Sequence, residues 1–218
     1  MQLESIEFSF LSIFTLLTFF IFLMISKYSY KIKNGALLDK DFSKPQAFHL
    51  HAISRIGGVA GIISLNIFFL IYFLLYSKIL YEYIFICNLM FVIGFLDDIK
   101  IKVSPLKRLL MMIFSLLFSI HFMSIGIFNI DIPFLLNFLK NDIFSSIFVL
   151  LCFLFIINGA NLIDGFNGLL VINLVIINSV LLYINILNGN NEFSIFLIAQ
   201  IIILLSFLLF NFPSAKIF

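Results

Sequence analysis

Long apolar runs separated by short polar loops set the pattern of this chain. Seven runs approach the ~20 residues that a helix needs to cross a bilayer. They are Phe8–Ile25, Ile56–Tyr76, Ile79–Leu96, Leu109–Ile127, Ile143–Ile157, Leu169–Leu187 and Ile195–Phe212. Within each run apolar residues fall on every face and do not alternate, which excludes barrel strands and predicts helices. The fifth run is short and completes its span only by borrowing Asn158–Ala160 or Asn141–Asp142. Between the fourth and fifth runs, Phe128–Asp142 mixes Ile, Leu and Asn around Pro133 and reads as a short amphipathic piece at the interface. The first run follows the acidic Glu4 and Glu7, with no small-residue cleavage site behind it, and reads as a retained helix.

Composition fixes the class. Of 218 residues 63% are hydrophobic and only 11% charged, with a mean hydropathy of +1.20. A soluble domain cannot hide that much apolar surface, and lipid satisfies no backbone hydrogen bonds. The chain therefore reads as an all-α integral membrane protein, one polytopic domain over residues 1–218 with about seven transmembrane helices. Cys87 and Cys152 both lie in apolar runs and indicate neither a disulfide nor a metal site. The 31 Phe read as compositional bias. His121 falls deep in the fourth run, where an imidazole is either functional or a partner for a neighbouring helix.

Charge gives the orientation. The loops after helices one, three, five and seven hold 11 of the 13 Lys and Arg; only Lys78 and Lys140 lie on the other side. That asymmetry puts the odd-numbered loops in the cytoplasm and the N-terminus outside. Loop five is poor in Lys and takes its side from helix parity.

The same face collects the chemistry. Loop five reads Asn158-Gly-Ala-Asn161-Leu-Ile-Asp164-Gly-Phe-Asn167-Gly168. Its amides and single carboxylate suit Mg²⁺, a hard cation that takes oxygen ligands and shares them with phosphates; a polar turn between two helices is the plainer reading. Loop three places Asp97 beside Asp98 at a helix end, where the like charges and the helix dipole both disfavour ionisation. A cation, a proton or the nearby Lys100 and Lys102 relieves that repulsion. Lys107 and Arg108 follow, with Pro105 suited to the first turn of helix four. Loop one carries His49 and Arg55 ahead of Gly57, Gly58 and Gly61. Those glycines either open an anion-binding helix N-terminus or allow close helix packing. A transporter would place ionisable groups at mid-membrane in inverted repeats; here only His121 is deep, which disfavours that class.

His49 with Arg55-Ile-Gly57-Gly58, then Phe95-Leu-Asp97-Asp98, then Asn158 through Gly168 resemble the bacterial polyprenyl-phosphate N-acetylhexosamine-1-phosphate transferases of glycosyltransferase family 4. The resemblance runs from about Asp39 to Phe218 and is closest to the branch that starts O-antigen and related surface glycans. It implies a multi-pass protein of the bacterial cytoplasmic membrane with its active face in the cytoplasm. It further implies transfer of N-acetylhexosamine-1-phosphate from a UDP-sugar to undecaprenyl phosphate, releasing UMP. By that resemblance Asp97, Asp98 and Asp164 are catalytic, and Asn161 binds Mg²⁺, with Mn²⁺ as the alternative ion. His49, Arg55, Gly57, Gly58, Lys107, Arg108, Asn158 and Asn167 bind substrate. The partners are the two substrates and the lipid bilayer, with no nucleic acid. In the family the segment ending at Phe218 runs into a Gly-Asp-x-Gly motif, so these residues read as the N-terminal portion of a longer fold. The alternatives are an inactive remnant, half of a split enzyme completed by a separate C-terminal half, or a homodimer.

Overall fold

The computed structural model describes residues 2–28, 37–39, 53–99, 104–126, 130–163 and 166–218. His49 and Asp164 lie outside the described residues, and of Asp97 and Asp98 only the backbone is described. The chain is helical, in the order α1 (Gln2–Tyr28), α2 (Gly57–Tyr76), α3 (Tyr81–Asp98), α4 (Pro105–Phe122), α5 (Pro133–Leu139), α6 (Asp142–Ile163), α7 (Leu169–Leu187) and α8 (Asn191–Asn211). Before α2, a small antiparallel ladder pairs β1 (Leu38–Asp39) with β2 (Ile53–Ser54).

Six of these helices are long and apolar enough to cross a membrane: α1, α2, α4, α6, α7 and α8. The third predicted span is α3, whose apolar part, Tyr81–Leu96, is shorter than the others. The chain is thus a multi-pass, all-α membrane protein.

The boundaries have local causes. Pro105 occupies the first turn of α4, behind Ser104, whose hydroxyl accepts from the Lys107 N–H at 3.4 Å. Because α4 ends at Phe122, short of the predicted Ile127, His121 sits exposed in its last turn and not deep in the span. The segment before α6 does contain a short helix, α5, with Pro133 at its start, Phe134 and Phe138 exposed and Leu139 buried. Asn141 then caps α6, accepting from the N–H groups of Ile143 and Phe144 at 3.0 and 3.1 Å. At its other end α6 takes in Asn158–Ala160, one of the two extensions expected, and runs on through Asn161–Ile163, which were expected in a loop. The Asn158 side chain donates to the Leu154 carbonyl one turn back at 2.8 Å, which is how a helix accommodates an amide in a low-dielectric setting.

The chain divides into two compact units, residues 1–79 with 163–218, and residues 80–162. In the first, α8 packs against α1, α2 and α7. Its core is built of rings: Phe14 and Phe10 meet Phe68 at 5.5 and 5.8 Å, and Phe68 and Phe69 meet Phe196 at 6.2 and 5.7 Å. In lipid, helices associate by close packing and not by exclusion of water, so such ring contacts carry much of the association. The phenylalanines of this unit are therefore structural. In the second unit α3 packs on α4, and Leu116 and Ile120 of α4 form a core with Val149 and Leu150 of α6.

Candidate functional site

In the first unit, three stretches that are distant in sequence meet at one end of the helices. The link is the segment after α8. The Phe218 N–H donates to the Ser54 carbonyl at 2.7 Å, Ile217 bridges to Ser54 in parallel, and the Gly57 N–H donates to the Phe218 carbonyl at 2.6 Å. Ile217 is fully buried beside Phe22 of α1 and Ala60 of α2. On its other side the same segment holds the end of the asparagine-rich stretch: the Asn167 side chain donates to the Pro213 carbonyl at 3.1 Å, and the Asn211 side chain accepts from the Gly168 N–H at 2.6 Å. Arg55, Gly57 and Gly58 are thus gathered with Asn167 and Gly168. The end of loop five, Asn167 and Gly168, shares an end of this unit with Arg55 and Gly57 of loop one.

Gly57 resolves one of the two readings of the loop-one glycines. A Cβ there would collide with the Phe207 ring and lie 2.8 Å from the Phe218 carbonyl oxygen. The residue is buried, and its N–H is taken by the Phe218 carbonyl. Gly57 is a close-packing glycine whose N–H donates to a chain carbonyl. Gly58 is exposed and Arg55 half-buried.

In the second unit, α3 and α4 pack together across residues 99–104 and run antiparallel. The backbone of Asp97–Asp98, the last two residues of α3, therefore shares an end with Pro105–Arg108. Lys107 is exposed there and Arg108 half-buried, and the Arg108 N–H donates to the Ser104 carbonyl at 3.1 Å. The positive end of the α4 dipole and the cationic side chains beside it favour an anion. On the last turns of α6, Asn158 and Asn161 are both exposed. Asn158 spends its N–H₂ on Leu154, whereas the Asn161 side chain has no hydrogen-bond partner among the described residues. Among the described residues no three His, Cys, Asp or Glu gather as a metal site. The donors at this end of α6 are amide oxygens.

The residue that sequence reasoning missed is Asn211. It reads as the polar end of an apolar run, and its bond to Gly168, 43 residues away, leaves no local signal.

No curated protein matches the chain. Residues 80–218 match the family model of Glycosyl transferase family 4. The match contains Asp97, Asp98, Lys107, Arg108 and the whole of Asn158–Gly168; it begins after His49, Arg55, Gly57 and Gly58. Spanning well over half the sequence and most of its helices, it settles the lineage: this multi-pass membrane protein belongs to glycosyl transferase family 4.

Proposed function

We propose that the chain transfers N-acetylhexosamine-1-phosphate from a UDP-sugar to undecaprenyl phosphate at the cytoplasmic face of a bacterial inner membrane, initiating O-antigen or another surface glycan. The observation that carries this reading is the family match over the two motifs with the most chemistry, Asp97–Asp98 and Asn158–Gly168. The charge asymmetry of the loops supports the cytoplasmic face.

The reaction is an exchange at the β-phosphorus. An oxygen of the lipid phosphate forms a new bond to it, the bond to the α-phosphate oxygen breaks, and UMP leaves with that oxygen. A phosphomonoester with a second pKa near ~6 is mostly dianionic at neutral pH, so little proton remains for a general base to remove. Phosphoryl transfer is chiefly positioning and electrostatics. We therefore assign Asp97 and Asp98 to organising the cationic surroundings of the phosphates more than to proton abstraction. Lys107, Arg108 and the start of α4 bind phosphate oxygens, and Arg55 and His49 serve the same end from loop one. Asn167, with its N–H₂ on Pro213, orients the nucleotide side of the loop, and Asp164 completes the stretch.

A divalent cation fits the donor chemistry at the end of α6, where the Asn161 amide, without a partner among the described residues, is a hard oxygen ligand suited to Mg²⁺ or Mn²⁺. When bound, such an ion neutralises phosphate charge. Asn161, with Asp164, would hold it.

The test is release of labelled UMP from UDP-N-acetylglucosamine by membranes containing residues 1–218, undecaprenyl phosphate and Mg²⁺, against an Asp98→Asn control. Turnover above the control supports the reading. Its absence with every UDP-N-acetylhexosamine tried would overturn it for this chain.

A further inference from the structure

Gly168 closes the asparagine-rich stretch and starts α7 in a left-handed conformation, with φ of 77°. Having no side chain, it gives α7 no cap of its own. Its buried N–H is instead held from another helix, by Asn211 Oδ1 at 2.6 Å. Asn211 is only 4% exposed, and its Nδ2 donates in turn to the Ile217 carbonyl at 3.0 Å. One side-chain amide thus spends its acceptor on the polar stretch and a donor on the segment that reaches Gly57. Nothing else on the described start of α7 replaces that acceptor: the Phe166 carbonyl takes the Leu169 N–H, and the Gly168 carbonyl takes that of Ile172.

We propose that Asn211 is a positioning residue for the transferase. It acts through Gly168 to fix where Asn167 and the start of α7 are held, and it does not itself touch substrate. The proposal rests on the transferase reading above for its effect on rate, and on the Asn211–Gly168 bond for its cause. Pairing of α7 with α8 does not depend on this bond, because the helices pack against each other and Leu208 and Phe212 of the α8 end flank Gly168 directly. Loss of Asn211 should therefore loosen the stretch and leave the helix pair standing. A loop group misplaced by about 1 Å is enough to cost on the order of a hundredfold in rate.

Two variants of the full chain in membranes separate the possibilities. Asn211→Ala removes both bonds; Asn211→Asp keeps an acceptor for Gly168 and loses the donor to Ile217. In Asn211→Ala, exchange of the Gly168 amide should accelerate roughly ten- to a hundredfold, the range expected when a buried donor loses its partner. UMP release should fall about a hundredfold, with KM for the UDP-sugar nearly unchanged and mid-helix amides of α7 and α8 exchanging as in wild type. In Asn211→Asp the Gly168 amide should stay protected and most of the rate return. Unchanged Gly168 exchange in Asn211→Ala overturns the proposal, as does faster exchange without loss of rate. Loosening throughout α7 and α8, or an Asn211→Asp variant as slow as Asn211→Ala, assigns the residue to stability alone and also overturns it. If wild type releases no UMP, the transferase reading falls, and Gly168 exchange in the two variants decides whether the clamp exists.

Discussion

Gly57→Ala is the sharpest test of the architecture at the junction of loop one and the segment after α8. The added methyl would collide with the Phe207 ring and sit 2.8 Å from the oxygen and 2.9 Å from the carbon of the Phe218 carbonyl. A ring can rotate aside. A backbone carbonyl held by the Gly57 N–H cannot move without breaking that bond, and Ile217 beside it is fully buried. Overpacking of this kind costs about 1–3 kcal/mol. The lost hydrogen bond adds about 0.5–1.5 kcal/mol, and the lower chain entropy of unfolded Ala returns about 0.4–1 kcal/mol. The net is destabilisation centred near ~2 kcal/mol, a melting shift of about −4 to −8 °C for a chain of this size.

The control is Gly61→Ala, one turn along α2. There the nearest atom to a new Cβ is Ile203 Cγ2 at 3.9 Å, an ordinary contact. Helix propensity then favours Ala by up to about 1 kcal/mol, so this variant should melt at or slightly above the wild-type temperature. Both are measured in detergent by thermal unfolding at one scan rate, with exchange of the Phe218 amide, which donates to Ser54 at 2.7 Å, reporting release of the segment. Equal melting of Gly57→Ala and Gly61→Ala, with Phe218 still protected in both, would refute the packing argument.

Gly168→Ala should also destabilise, by about 1–2 kcal/mol, since a Cβ disfavours the left-handed conformation and would lie 3.0 Å from Leu208 Cδ1; the same melting assay reads it. Asn141→Ala removes the cap that serves two N–H groups of α6 and should cost about 1 kcal/mol, again as a lowered melting temperature. In the activity assay Asn161→Ala should lose more UMP release than Asp97→Asn; a collapse in Asp97→Asn, with loss of the acidic limb of its pH–rate profile, would restore the aspartate as a base. Single cysteines at Lys107 and Lys78 should react with an impermeant reagent from opposite sides of the membrane, and labelling of both from one side would refute the assigned orientation.

Much of the helical frame was legible because its signals are local. The sixth run matches α7 residue for residue, bounded by Gly168 and Asn188, and the predicted Pro105 start of α4 is where the helix begins. The errors are also local in cause. A run of Asn residues reads as a loop because free amides are costly in lipid, yet α6 continues to Ile163 by letting Asn158 bond one turn back. Expecting the fourth span to reach Ile127, when α4 ends at Phe122, carried His121 from the last turn of the helix into the membrane. The segment after α8 was illegible for a different reason. Its partners, Ser54, Gly57 and Gly168, are 43 or more residues away, and no periodicity encodes such a contact.

The abundance of asparagine in this chain shows why motif density alone cannot locate a site in a membrane protein. Asn66, Asn88, Asn158, Asn173 and Asn185 all donate to the carbonyl four residues back, at 2.8–3.0 Å. For each of them the helix itself supplies the partner, and the side chain adds little beyond tolerable polarity. Other amides depart from that habit, among them Asn141 as the cap of α6. Asn167 and Asn211 reach across the fold to Pro213, Gly168 and Ile217, and Asn161 has no partner among the described residues. A tie and a ligand leave different marks: a tie has its amide pinned by a bond inside the protein, as Asn158 and Asn167 are through Nδ2, whereas an unpinned amide can turn its oxygen to a ligand. By that criterion the strict three-residue spacing of Asn158, Asn161, Asp164 and Asn167 does not describe equivalent groups. Asn158 belongs mainly to its helix and Asn167 to the scaffold. Among the described members Asn161 is the one whose amide no such bond pins, and its substitution should therefore be the costliest of the three asparagines.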